Sequence, residues 1–209
     1  MDRIVVIGGG GHAKVLIGLL KKLPWNVMGY VDPEERGIIL GVPRLGGDDI
    51  LPELLHTYGR CGAIIGVGKI DASPLRTTLQ QAVEAAGFEL PVAVSPHAVV
   101  NDEVALGPGT VVLDGAVVNS GSETGRGCIV NTNSTLEHDC RLGVNVHVAS
   151  GATVCGGVTI GANCLIGAGA TVVQNVRICD NCVLGAGSVV MQDIESPGTY
   201  VGVPVRRAK

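Results

Sequence analysis

Residues 142–160 read LGVNVHVASGATVCGGVTI, and within that stretch an aliphatic side chain returns every six places, at Leu142, Val148, Val154 and Ile160. Extended in both directions, the same register holds Leu106, Val112, Val118, Thr124, Val130, Leu136, Ile166, Val172, Ile178, Leu184 and Val190. Fourteen of the fifteen positions are Leu, Ile or Val, where a 46% hydrophobic composition would place about seven apolar residues. Only Thr124 departs. A second register two places earlier, running from Thr110 to Ser188, holds nothing larger than Val. Residues two apart in a strand point to one face, so each unit offers an interior one small and one branched side chain, then turns. Gly107, Gly125, Gly143, Gly161, Gly167 and Gly185 directly follow an aliphatic-register residue, where a sharp corner is expected to need backbone freedom. An array of this period reads as a parallel β-helix, each coil burying its face by stacking on the next.

Composition agrees with that reading. Gly supplies 32 of 209 residues and aromatics only 2%, odd for a conventional core but natural for a solenoid filled with Val, Ile, Ala and Cys. A net charge of −4 without a basic run lacks the attraction that nucleic-acid binding requires. No apolar run approaches the ~18 residues of a membrane span, and Met1-Asp2-Arg3 before a short strand does not read as a signal peptide; a cytoplasmic protein is expected. Of seven cysteines, Cys128, Cys140, Cys164 and Cys182 fall in the small inward register and read as packing. Cys179 and Cys182 have C-x-x-C spacing without a second pair at a matching distance, so no metal is expected.

Residues 1–90 read as a small α/β unit and 91–209 as the solenoid with its closing segment. Ile4–Ile7, Val27–Val31 and Ala63–Ile65 are strands. Between and after them, helical spacing groups Ala13, Val15, Leu16, Leu19 and Leu20, then Ile50, Leu51, Leu54 and Leu55 behind capping Asp48 and Asp49, then Leu75, Leu79, Ala82 and Val83. The alternation predicts a three-stranded parallel sheet, half of a Rossmann-like fold, with its functional edge at the carboxyl ends of the strands. Val94 and Val100 already keep the sixfold phase, and the tail from Ser196 should cover the last coil.

Two places could carry chemistry. Gly8-Gly9-Gly10-Gly11-His12-Ala13 sits at a strand-to-helix turn, with Asp32 ending the next strand. Glycines admit a ligand to the backbone and the helix N-terminus attracts anions. Gly8, Gly10 and Ala13 also fit G-x-G-x-x-A, but three strands are half of the usual dinucleotide fold, so a bound ligand is expected there and NAD is not. In Leu136-Glu137-His138-Asp139-Cys140, Leu136 and Cys140 point inward, leaving Glu137, His138 and Asp139 on an exposed corner. Histidine suits general-base work near neutrality and a neighbouring carboxylate can orient it. His147 precedes the inward Val148 and should face outward from a flat side. Nine residues separate the two histidines, so they should not meet on one chain; a site using both would need neighbouring subunits, for which a trimer is the natural closed assembly.

The glycine-rich G-x-G-G-H start, the short βα units, a hexapeptide solenoid containing E-H-D-C and V-H-V, and Val201-Gly202-Val203-Pro204 together resemble the sialic acid O-acetyltransferase and nucleotide-amino-sugar N-acetyltransferase family of hexapeptide-repeat acyltransferases. The resemblance implies a left-handed parallel β-helix with three units per coil, hence five coils over residues 106–195. It implies a homotrimer binding acetyl-CoA between subunits and a sugar or nucleotide sugar in the α/β unit. It makes His138 the general base, Asp139 the group that raises its basicity, and Asn131 a neighbour of the reacting groups. His147 would contact acetyl-CoA, with Gly156, Ala168 and Ala186 along the pantetheine arm. Gly10, Gly11, His12, Asp32 and Gly68 would contact the sugar nucleotide. The expected activity is acetyl transfer to the amine of a UDP- or GDP-linked 4-amino-deoxy sugar; the alternatives are O-acetylation of a free sialic or nonulosonic acid, and a non-catalytic trimer that only binds a sugar nucleotide.

Overall fold

The computed structural model describes residues 2–208. The chain divides into two units, one of residues 1–68 and 75–93 and one of residues 69–74 and 94–209. The first holds β1 (Arg3–Ile7), α1 (Gly11–Leu20), β2 (Asn26–Val31), β3 (Arg44–Gly46), α2 (Leu51–Tyr58), β4 (Gly62–Ile65) and α3 (Leu75–Ala85). Its sheet is parallel, in the order β3-β2-β1-β4. The apolar run of β1 is buried throughout from Ile4 to Ile7, as a central parallel strand covered on both faces must be. The expected three strands are therefore joined by a fourth, β3, whose three residues Arg-Leu-Gly are too short and too mixed to show alternation. Asp48 and Asp49 do not cap α2 through their side chains; they form a short 3₁₀ turn before it. In α1 the buried stripe is Ala13, Leu16, Ile17, Leu19 and Leu20, while Val15 is exposed.

The second unit is a coil of two-residue strands in three parallel sheets. One face carries Ala105–Leu106, Glu123–Thr124, Arg141–Leu142, Thr159–Ile160 and Arg177–Ile178. The second runs from Ala93–Val94 through Val111–Val112, Ile129–Val130, His147–Val148 and Leu165–Ile166 to Cys182–Leu184. The third runs from Val99–Val100 through Thr135–Leu136 and Thr153–Val154 to Val189–Val190. Partners stand eighteen residues apart, as in Ile129 with His147 and Thr135 with Thr153. The two inward registers form one continuous buried core. Thr124, the one polar member of the aliphatic register, is satisfied inside: its Oγ1 accepts the Gly107 N–H at 3.1 Å and lies 3.3 Å from Thr110 Oγ1, which donates to Gly125 O. The tail adds Gly198–Val201 parallel to Cys182–Leu184 and then Arg206–Arg207 antiparallel to it, occupying the end of the second face.

The corners differ from the sequence expectation. Left-handed backbone falls three residues after the aliphatic, at every sixth position from Glu103 to Asn181 and Gly187, with φ between 54° and 74°. Eight of these fifteen corner residues are Gly, five are Asn, one is Asp139 and one is Glu103. Gly, Asn and Asp are the types that tolerate this conformation best. The glycines directly after the aliphatic have another reason. A Cβ on Gly107 would lie 2.5 Å from Gly125 C, and one on Gly143 would lie 2.7 Å from Ala162 N. The next coil's backbone occupies the space a side chain would take.

These two kinds of glycine should respond differently to alanine. Gly169→Ala, at φ +65° with open space around it, should cost about 1–2 kcal/mol, the price of one left-handed residue. Gly143→Ala must push neighbouring coils apart and should lower the thermal unfolding midpoint further; equal midpoints for the two variants would contradict the close-approach explanation.

Candidate active site

His138 and Asp139 lie on the corner between the third face and the first. Asp139 occupies a left-handed position, φ 59°, where most other corners carry Gly or Asn. Its Oδ2 is 2.8 Å from His138 Nδ1. A carboxylate only accepts, so Nδ1 carries a proton, and in the neutral ring Nε2 holds the lone pair. Nε2 has no hydrogen-bond partner among the described residues, and both side chains are well exposed. The corner is held from inside by Ser122, whose Oγ donates to Glu137 O at 2.6 Å and accepts the Cys140 N–H at 3.1 Å.

The dyad is seated between two glycines. A Cβ on Gly121, one coil earlier, would lie 2.6 Å from Asp139 Oδ1; a Cβ on Gly156, one coil later, would lie 2.5 Å from His138 Nε2 and 2.6 Å from Cε1. Gly156 is the surface on which the imidazole rests. Neither Gly121 nor the side-chain ladder beside the corner was visible in the six-residue periodicity. In that ladder Asn101 Nδ2 donates to Asn119 Oδ1 at 2.7 Å, and Asn119 Nδ2 donates to Glu137 Oε2 at 2.9 Å. Glu137 is thus half-buried and partnered, not a free member of the corner. The signal was an eighteen-residue step, Asn101, Asn119, Glu137, which a six-residue search passes over.

The remaining solenoid residues gather elsewhere. Asn131 follows the strand Ile129–Val130 on the second face, and His147 stands on the neighbouring strand. His147 does point away from the core, yet only 9% of it is exposed. Its Nδ1 is 2.9 Å from Lys69 O and its Nε2 is 2.9 Å from Asn131 Nδ2. Ala168 and Ala186 are exposed, one coil apart, on the corner leading from the second face to the third; no partner for their N–H groups is found among the described residues. One chain therefore brings His138, Asp139 and Gly156 together on one corner. It brings Asn131, His147, Ala168 and Ala186 together around another.

In the α/β unit the glycines sort by cause. Gly8 has φ +103°, and a Cβ on Gly9 would lie 2.5 Å from Tyr30 Cε2. Gly10 and Gly11 meet nothing within 4 Å, so neither backbone conformation nor packing asks for glycine at these two. They line an open cavity of about 460 Å³ with Gly9, Lys14, Arg36, Ile38, Ile39 and Leu40. Lys14 places positive charge beside the N-terminus of α1, where anions are favoured; Arg36 also lines the cavity, with its guanidinium 2.6 Å from Glu34 Oε2, and neither residue belongs to a motif. Asp32 is turned to the chain: Oδ2 accepts the Gly9 N–H at 2.7 Å and Oδ1 the Glu34 N–H at 2.8 Å. It fixes the glycine turn. His12 is partly buried, and Gly68 lies against its Cβ.

The cysteines are packing groups. Burial pushes the Cys140 thiol up to about 11 and the Cys179 thiol up to about 11. A hydrogen bond with Cys164, then burial, raises Cys182, while the same hydrogen bond lowers Cys164. Cys140, Cys179 and Cys182, held protonated, are poor nucleophiles and poor metal ligands. Among the described residues no three His, Cys, Asp or Glu are grouped to hold a metal ion, and no helix is long and apolar enough to cross a membrane.

Comparisons with known proteins place the chain in a family. A model of the bacterial transferase hexapeptide (six repeats) matches residues 157–192, and one of the PglD N-terminal domain matches residues 3–73. No curated protein sequence matches significantly. Among solved structures, a variant of GDP-perosamine N-acetyl transferase from Caulobacter crescentus in complex with CoA and GDP-perosamine is similar at 35% identity and TM-score 0.94, covering 100% of this chain and 98% of that one. The acetyltransferase domain of PglB from Neisseria gonorrhoeae is similar at 33% identity and TM-score 0.91, covering 100% of both chains. WeeI from Acinetobacter baumannii is similar at 25% identity and TM-score 0.89, again covering 100% of both. The molecule is a hexapeptide-repeat left-handed β-helix preceded by an α/β unit. Within that class, the chain belongs to the nucleotide-amino-sugar acyltransferase family.

Two substitutions test these seats. Gly156→Ala should displace the His138 ring and lower kcat by at least tenfold, the scale of a misplaced reacting group, while the unfolding midpoint stays near wild type; unchanged kcat would remove Gly156 from this role. Gly10→Ala, at φ −82° and in open space, should leave folding intact and raise KM for the sugar substrate alone. A loss confined to stability would assign Gly10 to folding.

Proposed function

We propose that the protein transfers the acetyl group of acetyl-CoA to the amine of a nucleotide-linked 4-amino-deoxy sugar, for synthesis of bacterial surface glycans. The observation that carries the reading is the His138–Asp139 pair seated on Gly156 with Nε2 open to solvent, in a chain aligned from end to end with an enzyme solved beside CoA and GDP-perosamine. The acetyltransferase domain of PglB, solved in complex with acetyl coenzyme A, adds support for the donor.

In this mechanism the turn at Gly10 and Gly11, with Lys14 and Arg36, receives the diphosphate of the sugar nucleotide. His138 Nε2 takes the proton from the sugar amine as the nitrogen attacks the thioester carbonyl. Asp139 holds the imidazole through Nδ1 and steadies the imidazolium that forms. The tetrahedral oxyanion then collapses, CoA leaves as thiolate, and His138 returns the proton to sulfur. Asn131 donates to the oxyanion, and the exposed N–H groups of Ala168 and Ala186 hold the pantetheine arm. Because these groups and His138 occupy different corners, the complete site lies between copies in a homotrimer, with Asn131 of one subunit facing His138 of the partner subunit. The reaction belongs in the cytoplasm, where acetyl-CoA and sugar nucleotides are both present.

The test is release of CoA thiol from acetyl-CoA with a panel of UDP- and GDP-4-amino sugars and free sialic acids. Turnover with a nucleotide amino sugar is the expected result. His138→Ala should then lose at least about a hundredfold in kcat while the trimer persists. Turnover of free sialic acid alone would replace the acceptor, and absence of thiol release across the panel would reject the enzyme reading.

A further inference from the structure

The mechanism leaves open what the nearly buried His147 contributes, and its hydrogen bonds answer this. A carbonyl can only accept, so the 2.9 Å contact from Lys69 O to Nδ1 puts the ring proton on Nδ1. Nε2 is then a lone pair, and it accepts from Asn131 Nδ2 at 2.9 Å. The orientation of the Asn131 amide is fixed independently, because its Oδ1 accepts the Thr132 N–H at 2.7 Å and lies 3.3 Å from Thr132 Oγ1. With Oδ1 committed to Thr132 and one Nδ2 hydrogen committed to His147, the second Nδ2 hydrogen has no partner among the described residues. Asn131 is only half-buried, so this one remaining donor can reach a bound group.

Both ring nitrogens of His147 are thus engaged by the chain itself. We infer that His147 is a positioning residue: it acts through Asn131, holding the amide so that a single Nδ2–H points at the thioester oxygen, and does not itself hydrogen-bond acetyl-CoA. The relay runs from Lys69 C=O through the His147 ring to the Asn131 amide. Segment 69–74 is seated for this purpose, since Ser73 O also accepts from Asn145 Nδ2 at 3.5 Å and from Lys69 Nζ at 3.3 Å. The proposal rests on the acetyl-transfer reading for its consequence, while the tautomer it requires does not.

Two measurements test it. In the ¹⁵N-histidine NMR spectrum of the intact protein without substrates, His147 should be the neutral Nδ1–H form; a neutral Nε2–H ring would overturn the relay whatever the enzyme acetylates. In the thiol-release assay, His147→Phe should lower kcat at least tenfold with KM for acetyl-CoA unchanged, and His147→Gln, whose Oε1 can accept from Asn131, should recover most of that loss. Removing one oxyanion donor typically costs about 10²–10³-fold, so Asn131→Ala should be at least as severe as His147→Phe. The double variant should then be no worse than Asn131→Ala alone. A loss that multiplies in the Asn131→Ala background, or a rise in KM for acetyl-CoA at constant kcat, would make His147 a direct contact. Should His147→Phe fail to fold, the same comparison with His147→Leu, which also lacks an acceptor for Asn131, decides: a loss in kcat that vanishes in the Asn131→Ala background supports the relay, and one that persists refutes it.

Discussion

The structure depends on how closely successive coils approach. Neighbouring strands in a sheet stand about 4.8 Å apart, and in this solenoid the turns must keep that spacing as well as the flat faces. At Gly107, Gly125 and Gly143 the next coil's backbone fills the place of a Cβ. Every sixth residue must also turn through left-handed backbone. Between these points the chain needs only one small and one branched side chain per unit to fill the interior. A rigid ladder of corners results, and corners are where side chains can be presented to a ligand without loosening the core.

The dyad uses that rigidity. Asp139 takes a left-handed corner that most other coils give to Gly or Asn, and its carboxylate is thereby aimed at the adjacent imidazole. Non-glycine residues in this region cost of order 1–3 kcal/mol and persist where the surroundings over-determine them. Here the coils on either side do so, with Gly121 and Gly156 leaving room for the two side chains. The same geometry explains why the site divides. Corners one circuit apart stack above each other, so His138 meets Gly156, eighteen residues on. Residues half a circuit apart lie on different sides of the coil, and His147 is there, joined to Asn131 and Lys69.

The glycine-rich turn of the α/β unit shows why one motif can contain two causes. Gly8 is set by its φ and Gly9 by Tyr30, whereas Gly10 and Gly11 face empty space beside Lys14 and Arg36. Identical residues in sequence are thus separated into a pair required by conformation or packing and a pair bordering open space only by what surrounds them. Asp32, which the family resemblance makes a contact to the sugar nucleotide, also has a structural part: each of its oxygens accepts one backbone N–H group of the chain, and each keeps a second acceptor site.

Sequence alone determined the solenoid, because a sixfold recurrence of aliphatics has one physical use, and it determined the parallel sheet that precedes it, because buried apolar runs alternate with helical spacing. It also marked His138 and Asp139, as a histidine beside a carboxylate between the inward-facing Leu136 and Cys140. Only the tertiary structure decided the rest. The edge strand Arg44–Gly46, the true position of the left-handed corners, the seats supplied by Gly121 and Gly156, and the tautomer of His147 all depend on groups brought together from distant points of the chain. Local periodicity records which side of the backbone a residue faces; what it meets there is set by the neighbouring coil.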